Sequence, residues 1–189
     1  MTLSKPELEL WNRVEDFSLD DDSASFSFTQ RLAKENNWGL AFADRVVTEY
    51  KKFMFLAVVA GHTVSPSVEV DQAWHLHLVY TQSYWREFCG EVLQQPVHHG
   101  PTKGGQQEQD KFVDLYERTK QSYQAFFGES PPQDIWPSSK IRFDTANGSK
   151  WISSKNYWII RKPNFSKLFT PEAFPIAVGA AIPLSLIHI

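Results

Sequence analysis

The segment Phe53-Met54-Phe55-Leu56-Ala57-Val58-Val59-Ala60 is apolar at every position. Upstream of it, Val46 and Tyr50 recur at the spacing of one helix face. A helix that is apolar on all sides is buried among several neighbours rather than packed along a single stripe. The sequence therefore predicts a long helix from about Leu40 to Ala60 at the centre of an all-α core, closed by Gly61.

Two shorter helices are predicted before this central one. The first follows a capping hydroxyl at Ser4 and a proline at Pro6, both of which favour a helix start. Its buried stripe is predicted from four large apolar residues at helical spacing, namely Leu8, Trp11, Val14 and Phe17. The second helix is predicted over Phe26 to Trp38, with three inward-facing side chains: Phe28, Leu32 and Trp38.

Two longer helices are predicted after the central one. The turn Ser65-Pro66-Ser67 starts a fourth helix, from about Val68 to Leu93, and Gln94-Gln95-Pro96 stops it. The fifth spans roughly Gln107 to Phe127 and ends at a glycine, Gly128. The predicted fold is thus an all-α bundle of about five helices.

Length and composition indicate one helical domain with an extension. The chain has 189 residues, 42% of them hydrophobic, with a net charge of −3 and a single cysteine. This charge argues against a nucleic-acid partner, and one cysteine cannot form an internal disulfide. We predict a helical domain over residues 1–137 and an irregular or β-hairpin linker over 138–170. Two short β-like runs, Lys140–Phe143 and Tyr157–Ile160, form the candidate hairpin.

The predicted third segment, residues 171–189, is an apolar tail. Residues 174–189 are apolar apart from Ser185 and His188, and three basic residues precede them. This pattern predicts a membrane helix cut short, with the preceding domain on the cytoplasmic side of the inner membrane. A buried tail is the alternative. The last six residues, 184–189, match the translation of a sequencing adapter, so we expect the natural protein to continue past Pro183.

The distinctive chemistry lies between Val70 and Pro101. This segment contains four of the six histidines and the single cysteine, Cys89. Asp71 and His75 are four residues apart, so they share one helix face, where the carboxylate can fix the imidazole tautomer. His75 and His77 are two apart and point about 200° away from each other, so they cannot chelate one ion from a regular helix.

Any metal bound by His75 must therefore take further ligands from other segments. Cys89 is too far along the same helix to share an ion with His75, which leaves His62 or the loop pair His98 and His99. The favoured interpretation of His75 and His77 is structural, as imidazoles hydrogen-bonded to a neighbour, with Trp74 filling the core. For His98 and His99, a polar loop or a helix cap is favoured over a role as metal ligands. Cys89 is interpreted as a small buried hydrophobe.

Several rare residues occur together in a recognisable order. They are the run Asp71-x-x-Trp74-His75-x-His77, the pair Tyr84-Trp85, the loop from His98 to Gly105, and Trp136-Pro137. In these features the chain resembles the bacterial glycine-rich domain-containing protein-like family. The resemblance implies a membrane-spanning stretch followed by a glycine-rich tail. This sequence stops within its apolar stretch and shows no glycine-rich tail. It supplies no catalytic residues.

Two functional hypotheses follow. The leading one is a non-enzymatic interaction or scaffold domain with a protein partner, tethered to the membrane by its tail, with a signature core of Asp71, Trp74, His75, His77, Tyr84 and Cys89. The alternative is a metal-binding module or metal-dependent enzyme. There His75, supported by Asp71, joins His62 or the pair His98 and His99 around zinc or iron.

Overall fold

The computed structural model describes residues 3–21, 23–100 and 106–143, with the backbone alone described for 106–109. These ranges contain helices and no strand. The helices are α1 Lys5–Asp16, α2 Phe28–Asn36, α3 Leu40–Val59, α4 Val68–Val79, α5 Gln82–Leu93, α6 Gln106–Phe127 and α7 Ser139–Arg142. The all-α class predicted from the sequence is confirmed.

Helix α3 is the centre of the core, as its apolar last turns predict. It packs against α1, α2, α4 and α6. Phe55 contacts Trp11 of α1, with ring centroids 5.6 Å apart. Phe53 lies 5.3 Å from the ring of Trp74 on α4 and 6.4 Å from the ring of Trp136, which follows α6. Helix α3 thus contacts α1, which precedes it, as well as α4 and the segment after α6, which follow it.

The predicted stripe of α1 is wrong at Leu8. That side chain is 48% exposed, whereas Leu10 and Val14 are buried. Helix α1 packs against α3 and α5, and Leu10 and Val14, one turn apart, belong to the buried core. Leu8 is two residues from Leu10 and therefore points about 200° away from it, towards solvent.

The predicted helix starts and stops are confirmed at several ends. The Ser4 N–H donates to the Glu7 carboxylate at 2.7 Å, and the Ser67 hydroxyl accepts from the N–H of Val70 at 3.2 Å. Gly61 and Gly128 follow α3 and α6 with φ angles of +68° and +73°, the left-handed conformation that glycine adopts without steric cost. These four residues set where α1, α3, α4 and α6 begin or end.

The predicted fourth helix is wrong in its middle. Helix α4 ends at Val79, because Tyr80 has φ −83° and ψ 65° and leaves the helical region. The chain then forms α5, a π-helix of 12 residues that ends at Gln94 with φ 58°. The π-helix has i→i+5 hydrogen bonds, so the side chains of α5 occupy different directions from those of a continued α-helix. The predicted stop at Gln94 is confirmed.

The predicted β-like run at Lys140–Phe143 is also wrong. Ser138 caps a single helical turn there, α7, by accepting from the N–H of Ile141 at 3.4 Å. The other half of the candidate hairpin, the rest of the linker and the apolar tail lie outside the described residues. Within the described ranges, no helix is both long enough and apolar enough to cross a membrane.

Candidate metal centre

Three metal-capable side chains from two distant segments meet at one end of α4. Asp71 and His75 lie on the same face of α4, and His99 comes from the loop that follows α5. Nε2 of His99 is 2.8 Å from Oδ1 of Asp71 and 3.1 Å from Nε2 of His75. Nε2 of His75 is 3.7 Å from Oδ2 of Asp71. We call these three residues the Asp71 cluster.

The Asp71 cluster is partly buried and open on one side. The side chains of Asp71 and His99 are 27% and 22% exposed, whereas that of His75 is 56% exposed. The indole of Trp74 covers the inner side of His99, with ring centroids 4.4 Å apart. The cluster therefore has a protein wall behind it and solvent in front of His75.

The α5 segment holds the loop that carries His99. The buried hydroxyl of Tyr84 donates to the backbone carbonyl of Val97, two residues before His99. The same oxygen accepts from the indole N–H of Trp74 at 2.9 Å. Burial is the main cause that raises the pKa of Tyr84 above its usual value, so the phenol stays protonated and able to donate.

His77 lies on the opposite side of α4 from His75, as their two-residue spacing predicts. It is fully buried, with Nδ1 2.9 Å from the hydroxyl of Tyr50 and Nε2 3.2 Å from the hydroxyl of Ser83. Its ring is surrounded by five aromatic rings, those of Phe17, Phe28, Tyr50, Tyr84 and Phe88. Burial lowers the pKa of His77 to about 3, so the imidazole is neutral and holds the core together.

The remaining candidate ligands lie elsewhere. His62 contacts the Ser122 hydroxyl at 2.8 Å and the Thr63 carbonyl at 2.9 Å. His98 faces the ring of Trp85, with centroids 5.3 Å apart. Cys89 is buried in the helical core. Of the four histidines named from the sequence as metal candidates, the structure brings together His75 and His99.

The donor set and its spacing fit a borderline divalent metal ion. Two imidazole nitrogens and a carboxylate are ligands of zinc and of non-haem iron. Zinc–nitrogen bonds of about 2.0–2.1 Å in tetrahedral geometry place ligand atoms about 3.3 Å apart. The two imidazole nitrogens lie 3.1 Å apart, close to that value, while Oδ1 of Asp71 is 2.8 Å from His99 and Oδ2 of Asp71 is 3.7 Å from His75.

A second buried polar group was missed from the sequence. Glu49 on α3 is 5% exposed and accepts from the Trp136 indole at 2.9 Å and from the Tyr123 hydroxyl at 3.1 Å. The ammonium of Lys52 is 3.2 Å from Glu49 and 2.9 Å from Glu129. Burial opposes the charge of Lys52, but hydrogen bonds to Tyr123 and Glu129 and attraction by Glu49 prevail and raise its pKa. Every charge in this group is paired, so its role is to tie the segment after α6 to α3.

One family model matches the chain, over residues 23–120, which is just over half of its length. The chain belongs to this family, described as UCP032817-like, and the description specifies no activity. All three residues of the Asp71 cluster lie inside the matched region. No curated protein and no solved structure matches the chain. The resemblance to the glycine-rich domain-containing family stays a prediction.

Proposed function

We propose that this protein is a metal-binding module whose centre is formed by Asp71, His75 and His99, with zinc or iron as the ion. The observation that carries the proposal is the convergence of one ligand atom from each residue, all within 4.8 Å of one another. Residues on α4 alone do not achieve this convergence, since the third ligand arrives from a loop 24 positions beyond His75.

His99 places one ring nitrogen against both other candidate ligands. Its Nε2 faces the carboxylate of Asp71 at 2.8 Å and the imidazole nitrogen of His75 at 3.1 Å. If Nε2 of His99 carries a proton, this single N–H is shared between the carboxylate and the lone pair of the His75 nitrogen. If a divalent cation is bound, each of the three groups offers it a lone pair instead.

The number of ligands also favours a site with an open position. Structural zinc sites are closed by four protein ligands, whereas sites that act on a substrate have three and keep a position for water or substrate. The Asp71 cluster supplies three, and the 56% exposure of His75 leaves its front face accessible. We therefore infer that the bound ion takes a fourth ligand from solvent.

The membrane-tethered scaffold predicted from the sequence depends on residues 174–189, which lie outside the described residues. The tether, the cytoplasmic location at the inner membrane and the protein partner therefore stay predictions. Nothing in the Asp71 cluster depends on them.

Competitive titration of the full chain with Zn²⁺ against a chromophoric chelator tests the proposal. We expect one equivalent to bind, and we expect Asp71→Asn, His75→Ala and His99→Ala each to weaken binding by about tenfold or more, because each removes a ligand. His98→Ala is the matched control, since it removes the neighbouring imidazole and should leave the affinity unchanged. Absence of stoichiometric binding, or an equal loss in His98→Ala, would refute the proposal.

A further inference from the structure

We infer that Tyr84 is a positioning residue for the metal centre, an inference that rests on the proposed function. Tyr84 does not belong to the Asp71 cluster, yet its hydroxyl contacts both structures that hold His99 in place. One is the backbone of the loop, through the carbonyl of Val97, and the other is the indole of Trp74.

The loop contact sets where the backbone of His99 can lie. His99 belongs to no helix, so neighbouring helical hydrogen bonds do not orient it. The bond from the Tyr84 hydroxyl to the carbonyl of Val97 fixes the chain two residues earlier. Since Tyr84 is fully buried, this bond anchors the loop to the core.

The indole contact sets how the ring of His99 is oriented. Trp74 is 7% exposed, and its ring meets that of His99 at 62° with centroids 4.4 Å apart. The indole N–H donates to the Tyr84 oxygen at 2.9 Å, which fixes the rotation of the indole. One hydroxyl, as donor and as acceptor, thus holds both the backbone and the ring contact of His99.

The hydroxyl group, and not the aromatic ring, carries this function. In Tyr84→Phe the ring still fills the core, but the Val97 carbonyl loses its donor and the buried Trp74 N–H loses its acceptor. Groups that orient a metal ligand without touching the metal typically account for about 10- to 100-fold in metal affinity. We expect a loss of that size in Tyr84→Phe.

Tyr116→Phe is the matched control for this experiment. Tyr116 is also fully buried, and its hydroxyl also donates to a loop carbonyl, that of Pro137, at 2.9 Å. Both full-length variants are titrated with Zn²⁺, and the visible spectrum of the Co²⁺ forms is recorded. We expect Tyr84→Phe to lose about 10- to 100-fold in affinity and to show an altered Co²⁺ spectrum, whereas Tyr116→Phe should retain both properties.

The outcomes separate this inference from the proposed function. If the unmodified protein binds Zn²⁺ and Tyr84→Phe binds equally well with the same Co²⁺ spectrum, the role of Tyr84 is refuted and the metal site stands. If the unmodified protein binds no metal, the proposed function and this inference both fail. Should Tyr84→Phe not fold, Trp74→Phe, which removes the indole bond to Tyr84 and leaves the Val97 bond, is titrated instead: a loss of affinity with an altered Co²⁺ spectrum supports the role of the indole contact, and unchanged affinity and spectrum refute it.

Discussion

Nε2 of His99 lies 2.8 Å from Oδ1 of Asp71, although 28 positions separate the two residues in the chain. Asp71 is in the first turn of α4, and His99 lies in the loop beyond α5. The contact brings that loop back onto the helix that precedes it. The shorter contact of Asp71 is therefore with His99 from another segment, while His75 on the same helix lies at 3.7 Å. A ligand set of this kind assembles only in the folded protein.

Metal binding should therefore stabilise the fold. An ion that binds the native state and not the unfolded chain adds about 2.7 kcal/mol at a free concentration 100 times its dissociation constant. We expect the Tm of the full chain to rise on addition of Zn²⁺ and to return after chelation. Asp71→Asn, with its affinity about tenfold weaker or more, should reduce this rise to about half or less, and His98→Ala should keep it. A rise of the same size in Asp71→Asn would place the ion elsewhere.

The buried imidazole of His77 should make stability depend on pH. Its native pKa is about 3, below the ordinary value of 6.5. Between these values the unfolded chain takes up a proton that the native state does not, so stability falls as the pH drops below 6.5. At pH 5 the loss is about 2 kcal/mol relative to pH 7.

Urea unfolding of His77→Gln at pH 7 and pH 5 measures this contribution. The variant keeps an amide for the contacts with Tyr50 and Ser83 but cannot titrate. We expect its midpoint to change less between the two pH values than that of the unmodified protein. Identical pH dependence in His77→Gln and the unmodified protein would contradict the assignment.

The buried carboxylate of Glu49 should matter more to stability than the exposed pair of Arg45 and Asp134. Glu49→Leu leaves the Trp136 indole without its acceptor and deprives Lys52 of a partner in a site where the Lys52 side chain is only 15% exposed. Breaking a buried ion pair from one side costs about 3–5 kcal/mol. Urea unfolding should show a loss of about this size.

Asp134→Asn provides the comparison. It breaks a bidentate pair with distances of 2.7 and 2.8 Å, but both side chains are about half exposed. Solvent and salt screen such a pair, so the unfolding midpoint should stay close to that of the unmodified protein. Equal losses in Glu49→Leu and Asp134→Asn would show that burial does not decide the contribution of these charges.

The apolar pattern was sufficient to predict the central part of the fold. The run from Phe53 to Ala60 identified the central helix, and Ser67 and Gly128 marked helix ends that the structure confirms. These signals are local, since capping and periodicity depend on residues within one or two turns. Leu8 was mispredicted because helical spacing alone does not report which face of α1 meets α3 and α5, and the buried residues there are Leu10 and Val14.

The break between α4 and α5 had no sequence signal. No proline or glycine stands at Val79, Tyr80 or Thr81, so the sequence pattern predicted one continuous helix to Leu93. The buried Tyr84 of α5 makes tertiary hydrogen bonds to Trp74 and Val97. Propensity and pattern do not report such contacts.

The sequence predicted only part of the candidate site, because tertiary contacts also decide which ligands meet. The facing of Asp71 and His75 follows from their spacing, but the arrival of His99 depends on the path of a loop. Glu49 did have a signal, because it lies at helical spacing between Val46 and Phe53 on the buried stripe of α3. A carboxylate at such a position requires buried partners, and Lys52, three residues later, is one of them.

The zinc K-edge X-ray absorption spectrum of the metal-loaded full chain tests the identity of the ligands most directly. We predict nitrogen and oxygen neighbours at about 2.0–2.2 Å, with the scattering of two imidazole rings. One ring should remain in His99→Ala and two in His98→Ala. A sulfur neighbour at about 2.3 Å, the distance expected for a cysteine ligand, or two imidazoles persisting in His99→Ala, would contradict a centre formed by Asp71, His75 and His99.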